Sequence, residues 1–175
     1  MDDYESDLQI IAYHEAGHGV MAIACGFAVT EFSITNSENG ASYVRYQIPH
    51  PIVAETAKKA ALVCAAGLAA DMLLAKDSSK KRKDDVFLGH FNDQESGTHF
   101  ISQTGEAGTF NDYLTLSMMF LKQNWAIVDR VAKSLLVFPT LNPGALDLSK
   151  FPTLPVDWQD MLRAAIAQGD LPDDD

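Results

Sequence analysis

Read as a succession of apolar and polar positions, the chain divides into helical stretches around one alternating segment. Ile10, His14, His18, Met21 and Cys25 recur at three- and four-residue intervals, the spacing that places side chains on one face of a helix. Ser6 with Gln9 three positions later has the form of a capping box, so this helix is predicted to begin near Asp7. Gly26 is its predicted stop. The period then changes to two. Residues 29–34 and 43–48 alternate and are rich in β-branched and aromatic side chains, and residues 36–40 (Asn-Ser-Glu-Asn-Gly) supply a turn. Together they predict a β-hairpin.

Pro49 and Pro51 break the chain and leave His50 in a loop with no metal role. A second helix is predicted over residues 53–75, carrying Ala57, Ala61, Cys64, Leu68 and Met72 at helical spacing. Its alanines and Gly67 permit close approach to the first helix. Residues 76–85 (KDSSKKRKDD) read as a charged, solvated loop, with a grip on an acidic partner as the functional alternative. A shorter helix over 86–103 is entered through Gly89-His90-Phe91-Asn92-Asp93. After a loop at 105–109, Asn111 or Asp112 can cap a long helix running to about Val137. Along it Leu116, Met119, Phe120, Ile127, Val131 and Leu135, with Trp125 near the middle, read as core packing. Residues 139–155 are a proline-punctuated connection, 157–167 a last short helix and 170–175 an acidic tail. The expected class is mainly α with a small β-hairpin. One domain over residues 1–169 accounts for the length. No internal repeat is evident, nor a phosphate-cradling glycine loop.

Chemistry concentrates in the first helix. Ala12-Tyr13-His14-Glu15-Ala16-Gly17-His18-Gly19-Val20-Met21-Ala22 contains His-Glu-x-x-His. Imidazoles at i and i+4 lie one above the other and can reach one ion, in the nitrogen coordination that zinc accepts. Glu15 sits about 100° further round the helix. It is too far round for a comfortable third ligand but placed to touch water at the metal. Five histidines and seven glutamates in 175 residues give roughly 0.006 chance matches to the motif, so coincidence is a poor explanation. A structural role for the three side chains is costly too, because two imidazoles and a carboxylate buried together need a partner. Gly17 and Gly19 each weaken a helix interior by up to about 1 kcal/mol relative to Ala, which implies close backbone approach. A catalytic zinc takes three protein ligands and keeps one position for water. The candidates for the third are Asp93, His99, Asp112, His90, Glu95 and Asp71, and residue types alone do not choose among them.

Charge and composition narrow the partners. The net charge of −11 and 47% hydrophobic content point to a globular protein with no nucleic-acid or anionic-membrane partner. The acidic start lacks the apolar stretch of a signal peptide, and the apolar run at 60–70 is too short to insert in a membrane. Cys25 and Cys64 lie in apolar helical context without metal-ligand spacing and read as small buried hydrophobes in a reducing, cytoplasmic setting.

The segment from Ala12 to Ala22 closely resembles the zinc helix of the FtsH family, the membrane-bound AAA proteases. The hairpin falls where that family has its β-segment. Ala65-Ala66-Gly67-Leu68-Ala69-Ala70-Asp71 is similar to its Gly-Gly-Arg-Ala-Ala-Glu helix, with Leu68 in place of Arg and Asp71 in place of Glu. In that family a Gly-x-Ser-Asn-Asp segment supplies an Asp as third zinc ligand. Gly89-His90-Phe91-Asn92-Asp93 and Gly108-Thr109-Phe110-Asn111-Asp112 both echo it. Distance from Gly67 and the following Gly97, Phe100 and Ile101 favour Asp93, whereas the helix after Asp112 resembles the family's closing helix and makes Asp112 a cap. His99 and Asp112 remain the alternatives. The resemblance spans residues 8–150 and implies a helical zinc-metallopeptidase domain with Zn²⁺ on His14, His18 and Asp93 and Glu15 as general base. In metallopeptidases with this motif a strand beside the zinc helix often holds the substrate backbone, and Asp71 is placed either to orient a ligand histidine or on the helix surface. Nothing in the 175 residues matches the family's ATPase module or membrane anchors. The implied substrate is therefore a flexible peptide or unfolded protein, with or without a partner ATPase in trans. Two further readings are a regulatory peptidase with one cognate protein and a non-catalytic, metal-stabilised binding module.

Overall fold

The computed structural model describes residues 3–34, 42–77 and 88–169. Among them are six α-helices: α1 (Asp3–Ala24), α2 (Ala54–Asp77), α3 (Leu88–Ser102), α4 (Phe110–Gln123), α5 (Trp125–Val137) and α6 (Trp158–Gly169). Three short strands, β1 (Ala28–Ser33), β2 (Tyr43–Gln47) and β3 (Thr140–Leu141), form an antiparallel sheet in the order β2-β1-β3. The architecture is thus mainly helical with a small sheet.

Two long helices build the centre. His18 meets Val63 while His14 meets Asp71, so α1 and α2 run antiparallel. Their approach depends on glycine: a Cβ at Gly17 would lie 2.6 Å from the Ala66 carbonyl oxygen and 2.7 Å from the Ala70 Cβ. Ala12, Ala16, Ala61, Ala65 and Ala69 are fully buried, and such small residues let helix backbones come together with few voids. The sheet lies over the same helix. A Cβ at Gly19 would fall inside the Phe32 ring, 1.8 Å from its nearest carbon.

The other helices wrap this pair. α3 lies against α2, where a Cβ at Gly97 would meet the Phe110 ring at 2.7 Å and Cys64 at 3.2 Å. α4 docks through the Ser117 hydroxyl, which donates to the Leu62 carbonyl (3.1 Å). α5 docks on α1 through Tyr13, whose ring stacks on Trp125 at 5.5 Å and whose hydroxyl donates to Asp129 (2.5 Å). Lys58, buried in α2, donates to Glu106 (2.5 Å) and to Gln159 of α6 (3.4 Å), and so ties the 105–109 loop and the last helix to the centre.

Several expectations need correction. The first helix spans Asp3–Ala24, so Ser6 lies within it instead of ahead of it. Its end is as read. Gly26 takes φ +80°, and Gly26 and Phe27 donate to Ile23 and Ala22, the Schellman pattern that releases the chain toward β1. Residues 89–93 belong to α3 instead of leading into it. The long helix over 111–137 is two. Asn124 leaves helical geometry (φ −112°, ψ 21°), its backbone N–H is shared between Phe120 and Leu121, and its side-chain amide donates to Phe120 as well. The N-cap of α4 is Thr109 and not Asn111, while Asp112 caps the helix start from the third position, closing a capping box with Thr109. The connection after α5 contributes β3, whose Leu141 pairs with Phe32. The turn at 36–40, the basic stretch from 78 onward and the acidic tail lie outside the described residues.

Candidate metal centre

α1 turns both motif histidines toward α2 and α3. Their Nε2 atoms stand 3.0 Å apart, and Asp93 Oδ2 stands 3.1 Å from His14 Nε2 and 3.2 Å from His18 Nε2. The opposite edge of each imidazole is held. His18 Nδ1 lies 2.7 Å from the Val63 carbonyl, which can only accept, so Nδ1 carries the proton. His14 Nδ1 donates to Asp71 (2.7 Å), whose side chain is 1% exposed. Both Nε2 lone pairs therefore face the Asp93 carboxylate.

Three such atoms this close repel unless a proton or a metal ion lies among them. A tetrahedral ion bound at about 2.0–2.1 Å keeps its ligand atoms about 3.3 Å apart, and the triangle here nearly has that size. The group of His14, His18 and Asp93 could thus hold a metal ion, and two imidazoles with one carboxylate are a donor set that suits zinc. The polarity of the pocket agrees. Burial opposes charging of His14, yet hydrogen bonds to Asp71 and Asp93 and the charges of Asp71 and Glu15 push it up to about 10. His18 is raised in the same way, burial being outweighed chiefly by Asp93. For Asp93, burial is outweighed by the two histidines, which hold its carboxyl well below the usual range. In each case the site draws positive charge.

Space for the imidazoles is made by Gly67. A Cβ there would lie 2.3 Å from His18 Nε2 and 2.6 Å from His14 Cε1 and Nε2. Glu15 is 4% exposed. Burial raises its pKa, opposed by the charges of His18 and His14 and by a hydrogen bond from Ser42 at the start of β2. A carboxyl shifted upward beside a metal is suited to taking and returning a proton.

The other candidates for third ligand are elsewhere. His99 is exposed, with its Nε2 accepting from Gln103 (2.8 Å). Asp112 accepts from the Thr109 backbone N–H and hydroxyl (2.7 and 2.8 Å) and closes the first turn of α4. Glu95 is exposed, and His50 lies in a bend outside the helices and strands. The His90 side chain lies outside what is described. Asp71, left open between two roles, is the partner of His14. The residues that reading the chain missed are Val63 and Ser42. Val63 acts through its carbonyl and leaves no trace in residue type. A signal for Asp71 existed: Val63, Gly67 and Asp71 repeat every four residues, mirroring His14 and His18. No family model matches the chain, and neither does any curated protein.

Proposed function

We propose that this protein is a zinc-dependent endopeptidase of the kind that the FtsH-like zinc helix implies. The observation that carries the reading is the convergence of His14, His18 and Asp93 beside the buried Glu15 on the same helix. Among the described residues only those three donors converge, which leaves a position for water, as catalytic sites do and structural ones do not.

Bound there, zinc would supply a Lewis acid that polarises the scissile carbonyl and acidifies water. Asp71 and the Val63 carbonyl fix the tautomers so that both Nε2 lone pairs point inward. Glu15, as the carboxylate, takes a proton from the attacking water and, once protonated, returns it to the leaving amine. β2 is an edge strand among the described residues, and its free side offers backbone groups to an extended peptide. The substrate is then a flexible peptide or unfolded segment, presented directly or by an ATPase acting in trans.

No helix among the described residues is long and apolar enough to cross a membrane. The test is Glu15→Gln, which retains zinc and abolishes cleavage of an unfolded protein such as reduced casein. Normal cleavage by that variant would refute the mechanism.

A further inference from the structure

α3 is anchored unevenly along its length. Its second half packs closely: a Cβ at Gly97 would meet the Phe110 ring at 2.7 Å and Cys64 at 3.2 Å, and Ile101 is buried. Just past the helix end the Thr104 hydroxyl donates to the Ile101 carbonyl (2.8 Å). Over residues 91–96, by contrast, nothing is buried. Phe91 is 74% exposed, and Asn92, Gln94, Glu95 and Ser96 are exposed with it. Asp93 alone is half-buried. Among the described residues it is the one side chain of this stretch that makes a hydrogen bond or ion pair, through Oδ2 at 3.1 Å from His14 and 3.2 Å from His18.

Local preference does little to hold this stretch. A helix of 15 residues is marginal in water by itself, and Asn92, Asp93, Ser96, Gly97 and Thr98 are poor helix formers. Helices in proteins are held mainly by burying an apolar face, and here that burial begins only at Gly97. The other two ligands sit differently. His14 and His18 belong to a helix whose Ala12, Ala16, Val20 and Met21 are fully buried, against an α2 whose Ala65, Ala66, Ala69 and Ala70 are fully buried as well. The triangle of ligand atoms therefore joins a packed pair of helices to a stretch whose one tertiary anchor, among the described residues, is the ligand itself.

We propose that the metal ion is a latch for the first half of α3: residues 91–96 open locally in the zinc-free chain and are held closed when zinc joins Asp93 to His14 and His18, with α1 and α2 folded in both states. Stability is not uniform across a fold, and segments with few buried contacts open first. An ion that binds only the closed form removes that opening by mass action. The inference concerns the three ligands and needs no peptide cleavage. It goes beyond the peptidase reading, because it makes completion of the site depend on metal supply.

The experiment is hydrogen exchange of the full chain read by mass spectrometry, after treatment with EDTA and again with zinc chloride restored, in wild type and in Asp93→Ala. In the zinc-free wild type the amides of residues 92–96 are expected to exchange far faster than those of residues 60–70 in α2. Zinc at 100 times its Kd should slow exchange at 92–96 by about 100-fold. Asp93→Ala should keep the slow exchange of α1 and α2, which shows that it folds, and leave 92–96 fast with or without zinc. The proposal is overturned if 92–96 are as protected as α2 in the zinc-free chain, or if zinc leaves their exchange unchanged. A wild-type response in Asp93→Ala, or a chain that takes up no zinc, overturns it too.

Discussion

Gly67→Ala probes the site from a position that is neither a ligand nor a charge. The added Cβ would sit 2.3 Å from His18 Nε2 and 2.6 Å from His14 Nε2, against a comfortable contact of about 3.5 Å. The imidazoles must therefore withdraw by about 1 Å. They cannot slide freely, because each is held at Nδ1 by a 2.7 Å hydrogen bond, one to Val63 and one to Asp71. Displacing metal ligands by that much should weaken zinc at least about 100-fold, or roughly 2.7 kcal/mol. Alanine is otherwise the better helix residue by about 1 kcal/mol, which offsets part of the strain. Stability without zinc should then fall by no more than about 2 kcal/mol. The assay is competition against a chromophoric chelator, paired with Tm measured with and without added zinc. The zinc-induced rise in Tm should shrink or vanish while circular dichroism retains the helical signal. Wild-type zinc affinity in Gly67→Ala would mean that the imidazoles do not lie where this arrangement puts them.

Asp71→Asn should lower zinc affinity about 10- to 100-fold with His14, His18 and Asp93 intact, as read by the same chelator competition; an unchanged affinity would deny Asp71 its hold on His14. Gly19→Ala has no space against the Phe32 ring and should cost about 1–3 kcal/mol in urea unfolding, with undiminished stability as the contrary result. Burial pushes the Cys25 and Cys64 thiols from the ordinary 9.0 up to about 12. A thiol reagent at pH 8 should therefore leave both unmodified until denaturant is added, and fast labelling of the native chain would count against their enclosure. The unfolded chain loses those thiol protons first, so folding stability should decline as pH rises from 9.0 toward about 12; a stability curve flat across that window would contradict it.

Much of this could be read from residue order because α1 and α2 are long and free of internal breakers, and because His14, Glu15 and His18 occur in one short motif. The hairpin was legible in its period of two. What could not be read is set by tertiary contact. Nothing between Phe120 and Val128 resembles a breaker, and the helix parts at Asn124 only because that side chain competes for the Phe120 carbonyl. β3 is two residues long and exists through its pairing with β1. Helix starts were misjudged where a serine that could cap, Ser6, lies inside a helix. At the site, residue types left six candidates for the third ligand. Only the packing of α3 on α2, through Gly97 against Cys64, brings Asp93 to the two imidazoles and leaves His99 and Asp112 with other partners.

The central claim is the ligand set, and metal analysis of purified protein tests it most directly. Wild type should carry about one zinc per chain, as should His99→Ala and Asp112→Ala, whereas Asp93→Ala should lose it. Zinc retained by Asp93→Ala, or a wild-type chain that takes up none when metal is supplied, would contradict the account.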